Sequence, residues 1–246
     1  MNIATFHFFG ELNFFLPKKH RHQPFEHHFA WKASIKDMVE SLGPPHCEIG
    51  LLTVDGVSVG FDRIVEPHSH ICVYDDPALA DVDKLVSLRP LLTDKPRFVL
   101  DTHLGRLAGY LRMMGFDTLY RNDYADDQLA EISDVEGRIL LTRDIGLLKR
   151  GRVCYGYFIR ATNPKEQIVE IVQKYRLSHV VTPFRRCLKC NGELTSVEKS
   201  HILGQLPNTS AEQYDEFRQC DDCGQVYWKG THYEKMCEFL DGLMKG

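Results

Sequence analysis

The sequence predicts an α/β chain in which a parallel-sheet domain lies between a small α+β unit and a cysteine-rich ribbon. Three patterns carry this. From Arg97 onward, short apolar runs alternate with stretches of helical periodicity, which implies right-handed crossovers and a parallel sheet. Before that point, residues 1–75 read as short period-two strands around one amphipathic helix. After it, two Cys-x-x-Cys pairs stand about thirty residues apart.

Composition narrows the function classes. The chain has 246 residues, 43% apolar and 26% charged, as in ordinary globular proteins of one to three domains. No apolar run approaches the roughly 18 residues that cross a bilayer, so no membrane partner is expected. Met1 to Phe15 lacks the basic start and unbroken apolar stretch of a signal peptide. A cytoplasmic protein is therefore expected, in which 8 cysteines are no disulfide framework. Cys47, Cys72, Cys154 and Cys237 read as small buried hydrophobes. A net charge of −4 argues against a general polyanion binder. The charge is uneven: 6 Lys/Arg face 10 Asp/Glu in residues 1–80, and 13 face 11 in residues 97–180. Nucleic acid would meet a local basic face.

In chain order, Ala4, Phe6 and Phe8 alternate as a first strand and Phe25, His27 and Phe29 as a second. The basic, histidine-rich Pro17–Pro24 turn between them is read as an exposed hairpin in preference to a metal tract. Ser34, with Asp37 three residues on, caps a helix whose stripe is Ile35, Met38, Val39 and Leu42. Gly43-Pro44-Pro45 stops it. Ile49–Val54, an Asp55-Gly56 turn and Ile71–Tyr74 complete a mixed sheet, crossed by the helix as in a β-grasp. Asp75–Pro96 is a polar connector with a short helical stretch over Leu79, Val82, Leu85 and Val86. Strands follow at Phe98–Leu100, Phe116–Tyr120, Ile139–Leu141 and Val153–Ile159. Helices follow over Leu104–Leu111, Asp126–Glu136, Ile145–Lys149 and from Pro164, where proline suits the first position.

Ligands of an open parallel sheet bind beyond the carboxyl ends of its strands. Asp101 and Asp144 each directly follow a strand there, and Asn122, Asp123, Asp126 and Asp127 follow the second strand. Converging carboxylates about 5 Å apart repel by roughly 3 kcal/mol per pair at an effective dielectric near 20. A hard cation, Mg²⁺ or Mn²⁺, removes that penalty and suits phosphodiester chemistry. The bland reading makes Asp126 a helix N-cap and Asp123 a strand end. Arg143, Lys149, Arg150 and Arg152 follow Asp144 and could hold phosphates, or serve only as a solvated helix end. Arg106 and Arg112 carry the same two readings.

The stretches Phe98-Val99-Leu100-Asp101, Leu104-Gly105-Arg106-Leu107-Ala108, Gly115-Phe116-Asp117, Leu140-Leu141-Thr142-Arg143-Asp144 and Tyr227-Trp228-Lys229-Gly230 with His232 resemble the RNase domain named after the C-terminal region of the Mut-seven exonuclease. That family is similar to PIN-domain nucleases, so the resemblance implies a PIN-like fold, an RNA substrate and a catalytic divalent metal. By position it implies Asp101 and Asp144 as the first and last acids. Asp126, which precedes Leu129 in an Asp-x-x-Leu pattern, is the preferred middle acid, with Asp127 the alternative. Residues 1–75 resemble the ubiquitin-like domain fused to that RNase. Sulfur carriers of this fold act through a free Gly-Gly end, whereas this chain continues through Asp75-Asp76-Pro77. A binding or packing role, including a protein partner, is expected instead.

Cys187, Cys190, Cys220 and Cys223 have the spacing of four-thiolate zinc, which leaves no open position and so implies a structural ion. A redox dithiol would not explain two matched pairs. Tyr227, Trp228, Lys229 and His232 could stack a base and contact a phosphate, or pack the ribbon on the core. The expected organisation is 1–78 ubiquitin-like, 79–96 linker, 97–180 PIN-like and 181–246 ribbon with a C-terminal helix. The expected activity is metal-dependent RNA hydrolysis; the rival is an RNA-binding or complex-assembly protein that no longer cuts.

Overall fold

In the computed structural model, which describes residues 1–231 together with 233, 234, 237, 238 and 242, the chain forms three sheets. The first belongs to the N-terminal domain. Strands β1 (Asn2–Phe8), β2 (Phe25–Phe29), β3 (Leu51–Val54), β4 (Val57–Ser58) and β5 (His70–Tyr74) stand in the order β2-β1-β5-β3-β4. Only the β1–β5 pair is parallel. Helix α1 (Ile35–Leu42) buries Ile35, Met38 and Val39 against this sheet. Ser34 Oγ accepts from the Asp37 N–H at 3.1 Å and donates to the Asp37 carboxylate at 2.7 Å, so the helix starts on a local reciprocal cap. The arrangement is a β-grasp.

The second sheet is all parallel. Strands β6 (Phe98–Leu100), β7 (Thr118–Tyr120), β8 (Ile139–Thr142) and β9 (Gly156–Phe158) stand in the order β7-β6-β8-β9. Their continuous apolar runs follow from burial on both faces. Phe98, Leu100, Ile139, Leu141 and Tyr157 pack with helices α2 (Gly105–Met113) and α5 (Pro164–Lys174). Val99, Leu140 and Phe158 join Leu129 and Ala130 of α3 (Asp126–Glu136) and Leu147 and Leu148 of α4 (Ile145–Leu148). Alternate side chains of each strand thus go to opposite layers.

Several elements are shorter than the sequence suggests. β7 starts at Thr118, because Gly115 is left-handed (φ 89°) and Phe116 is used to close the core. A Cβ at Gly115 would stand 2.0 Å from the Thr182 carbonyl oxygen, so only glycine admits the approaching segment. The connector helix expected over Leu79–Val86 is absent: one 3-10 turn, Pro77–Leu79, is followed by irregular chain. That chain is held by other partners. Arg89 donates to the Cys47 and Ile49 carbonyls, Tyr155 Oη donates to the Pro90 carbonyl at 2.8 Å, and the Val86 N–H donates to Ser58 Oγ at 2.9 Å.

The ribbon sheet, β10 (Leu194–Val197), β11 (Phe217–Cys220) and β12 (Val226–Trp228), is antiparallel in that order. The insert between its first two strands folds as α6 (Lys199–Ile202) and α7 (Asn208–Gln213) and buries Ile202 and Leu206 against Phe217 and Val226. Trp228 packs in this small core, and not against the parallel sheet. The expected C-terminal helix falls largely outside the described residues.

Candidate functional site

The two acids that end adjacent strands are coupled through one hydroxyl. Thr142 is fully buried, and its Oγ1 donates to Asp101 Oδ2 at 2.6 Å and accepts the Asp144 N–H at 3.0 Å. Asp101 Oδ1 also takes the Thr102 N–H at 2.6 Å. Asp144 N-caps α4, accepting the N–H groups of Gly146 at 2.6 Å and Leu147 at 3.3 Å through Oδ1. These bonds fix both carboxylates at the carboxyl edge of the sheet and leave Asp144 exposed there.

The acids of α3 are held separately. Asp126 is not the N-cap of α3, the alternative to its role as a metal acid. Ala125 takes that position, and its N–H is satisfied by Gln128 Oε1 at 3.0 Å. Asp126 and Asp127 therefore occupy the first turn, exposed, where negative charge suits the helix dipole. Arg150 lies 3.5 Å from Asp126 Oδ2 and donates to Asp127. Asp123 pairs with Arg121 at 2.7 Å on the surface. Among the described residues, the four cysteines are the one group of three or more His, Cys, Asp or Glu close enough to hold a metal ion. The structure thus brings Asp101 and Asp144 together around Thr142 and ties Asp126 and Asp127 to Arg150 instead.

The basic residues expected at this edge divide in the same way. Arg143 donates to the carbonyls of Ile159 at 3.1 Å, Arg160 at 3.1 Å and Ala161 at 2.6 Å, so it pins the segment after β9. Lys149 reaches the N-terminal domain, donating to the Glu40 carbonyl at 2.5 Å, and burial holds its pKa below the usual lysine value. Neither is a free phosphate ligand. Arg112 is buried and donates to the Leu188 and Lys189 carbonyls, both at 3.1 Å, which makes it the clamp for the first Cys-x-x-Cys turn. Arg106 is exposed in the first turn of α2 and has no partner among the described residues.

In the ribbon, Cys187, Cys190, Cys220 and Cys223 place their sulfurs within 4.8 Å of one another. The Cys187–Cys223 and Cys190–Cys220 Sγ separations are 3.6 and 3.4 Å, far beyond a disulfide. They approach the roughly 3.8 Å edge of a tetrahedron with metal–sulfur bonds near 2.3 Å. Burial pushes the Cys187 thiol up, but the Tyr227 hydroxyl and backbone N–H groups outweigh it and bring its pKa to about 7. Burial leaves Cys190 at about 12. Cys47 is buried as expected, whereas Cys154 is exposed.

The ribbon docks at the amino ends of the parallel strands, opposite the acids. Asn191, with φ 75°, accepts the Thr118 N–H at 2.8 Å and donates to Asp117 at 2.8 Å. Arg138 closes the lock with a 2.8 Å ion pair to Asp117. Lys229, expected to meet RNA, sits on the ribbon and pairs with Glu216 at 2.6 Å. His232 lies outside the described residues.

The N-terminal domain is docked in cis on the edge strand β9. Glu48, almost fully buried, accepts the Phe158 N–H at 2.6 Å and pairs with Arg160 at 2.7 Å. This covers an otherwise open strand edge. Arg160 is flanked by the rings of Tyr157, Phe14 and Phe15 at 4.8, 5.4 and 5.4 Å. Asp75 and Asp76, at the point where a sulfur carrier would end, lie 3.9 Å from Lys174 and 3.7 Å from Arg176 of the neighbouring domain. Sequence reasoning gives Thr142 no role, reads Asn191 only as tight backbone after Cys190, and does not mark Glu48, Arg160 or Arg138 at all. No local pattern marks a long-range partner.

No helix among the described residues is long and apolar enough to cross a membrane. No curated protein and no solved structure matches the chain. Residues 1–81 match the Mut7-C ubiquitin family model and residues 96–240 match that of the Mut7-C RNAse domain. The second match spans more than half of the chain, places the parallel sheet and the ribbon in one unit, and leaves no doubt of kinship: the chain belongs to the Mut7-C RNase domain family.

Proposed function

We propose that the protein is a metal-dependent ribonuclease whose reacting centre is the carboxyl edge of the parallel sheet. The observation that carries this reading is the pairing of Asp101 and Asp144, from adjacent strands, on the buried Thr142 hydroxyl. The donor set suits a hard cation, since carboxylate oxygens are what Mg²⁺ and Mn²⁺ take. Asp101, Asp144 and Asp126 would hold it, with Asp127 as the alternative to Asp126. Bound there, the ion supplies water activation and neutralises charge developing on the phosphodiester. The Thr142 hydroxyl holds the Asp101 carboxylate, and the first turn of α4 holds that of Asp144. Arg150 already supplies a positive charge to the α3 acids and must turn from them toward phosphate for the third carboxylate to serve. Arg106 is the second phosphate contact, being exposed in the first turn of α2, the helix that follows Asp101 in the chain, and unpaired among the described residues. The four cysteines hold a structural zinc. A protein partner, if the ubiquitin-like domain has one, must use surface away from Glu48 and Arg160.

The rival reading, an RNA-binding or assembly protein that does not cut, is favoured by the Arg150 pairing, which occupies both α3 acids with one counter-charge. Labelled RNAs incubated with the full chain and Mn²⁺ separate the two. Metal-dependent cleavage lost in Asp101→Asn and Asp144→Asn supports the nuclease. RNA binding without cleavage across several RNAs supports the rival.

A further inference from the structure

A groove of about 330 Å³ runs between the amino edge of the parallel sheet and the ribbon. Lys95 and Arg97 line one wall and Arg185 and Arg186 the other. Two acids are present, and both are engaged. Asp117 is held by Arg138 and Asn191, and Glu193 lies 3.4 Å from Arg186. Lys95 has the Thr182 hydroxyl at 2.7 Å, and Arg185 has no carboxylate partner among the described residues. A chain of net charge −4 therefore gathers four cations around one concavity with a single counter-charge not already neutralised elsewhere. Burial, and after it Arg185 and Arg186, hold the Lys95 ammonium below its usual pKa, so these charges feel one another.

Such crowding is relieved by an anion, and guanidinium forks match phosphate oxygens two at a time. The walls are fixed before any ligand arrives. The left-handed Gly115 lets the Thr182 segment approach, and Asn191 locks the ribbon to Asp117 and Thr118. We propose that this groove is a second contact site for RNA phosphates, remote from the acidic edge. The inference rests on RNA being the substrate. β6, only three residues long, separates the groove from Asp101 by at least roughly 10 Å, a span that a bound strand bridges.

The test uses the full chain without added divalent metal and a short fluorescein-labelled single-stranded RNA, with affinity read by anisotropy across a salt series. The double substitution Lys95→Ala with Arg185→Ala touches neither the strand-end acids nor the cysteines. It is expected to weaken binding about tenfold and to flatten the log K against log salt slope by about 1.4, the loss of two single-strand phosphate contacts. The charge-preserving pair Lys95→Arg with Arg185→Lys is expected to keep the wild-type slope. Unchanged affinity and slope in the alanine pair, at wild-type zinc content, would overturn the proposal. So would equal loss in the charge-preserving pair, which would make the role one of packing. If the wild type cuts RNA but the alanine pair binds as before, the groove fails and the nuclease stands. If the wild type neither binds nor cuts RNA, both fail.

Discussion

Thr142 decides how far Asp101 and Asp144 act as one unit, because its hydroxyl donates to one carboxylate and accepts from the backbone of the other residue. Groups that orient metal ligands typically contribute about 10–100-fold to affinity or activity. Thr142→Val keeps the buried volume and removes only the hydroxyl. Cleavage should fall by about that factor, with the Mn²⁺ requirement shifted to higher concentration and the fold intact by circular dichroism. An unchanged metal titration would mean that Thr142 only fills space. Asp117 carries a second residue-scale consequence. Burial pushes its carboxyl up, yet hydrogen bonds from Arg138 and Asn191 outweigh burial and hold it below the usual range. A folded pKa below the unfolded value, about 4, contributes stability above that pH and loses it as pH falls through the depressed value. Asp117→Asn should therefore be less stable than wild type at neutral pH, with the gap closing in acid; parallel urea melts across pH measure it. The strand-end positions of Asp101 and Asp144 were legible in the sequence, because Asp101 directly follows one apolar run and Asp144 comes three residues after Leu141 ends another. The partners of the acids were not: Thr142 looks like the last strand residue, and Arg150 like a helix-end cation.

At the scale of elements, strand and helix order was legible because apolar runs and helical stripes change period at each boundary. The limits were not, since tertiary contacts set them. The connector shows this best. Its Leu79–Val86 stripe suggests a helix, but the chain there is drawn out and then fixed by Arg89 and Pro90 at the domain junction. The ribbon was the clearest element, because Cys-x-x-Cys pairs have a spacing that few other folds need. Its docking site was not visible, since Asn191 reads as a turn residue until Thr118 and Asp117 are beside it. The ribbon's own core is small, four buried side chains that include Phe217, and a structural zinc on the four sulfurs would contribute on the order of 10 kcal/mol to such a segment. Purified protein should carry one zinc per chain. Removing it with a chelator should open Arg185–Lys229 to proteolysis while β6–β9 stay protected. A ribbon that resists protease after the metal has gone would contradict the four-thiolate assignment.

For the whole molecule, the junction between domains is built as an interior and not as a tether. Burial pushes the Glu48 carboxyl up, and Arg160 with the Phe158 N–H offsets this only in part. Removing one member of such a pair costs about 3–5 kcal/mol, because the other is left buried and unpaired. Arg160→Met should therefore destabilise the chain by that amount in urea melts, whereas Arg160→Met with Glu48→Leu should recover most of it. Two separate transitions in the wild type would show instead that the domains fold independently. The ubiquitin-like domain is thus packed in cis as a fixed part of the molecule, bracing the edge strand β9 next to β8 and α4. The acidic edge as a metal site is tested most directly by a crystal structure of the full chain soaked in Mn²⁺. The expected result is anomalous density touching Asp101 and Asp144, with Arg150 turned away from Asp126, and none in Asp144→Asn. Wild-type crystals with no density among those carboxylates, and Arg150 still on Asp126 and Asp127, would contradict it.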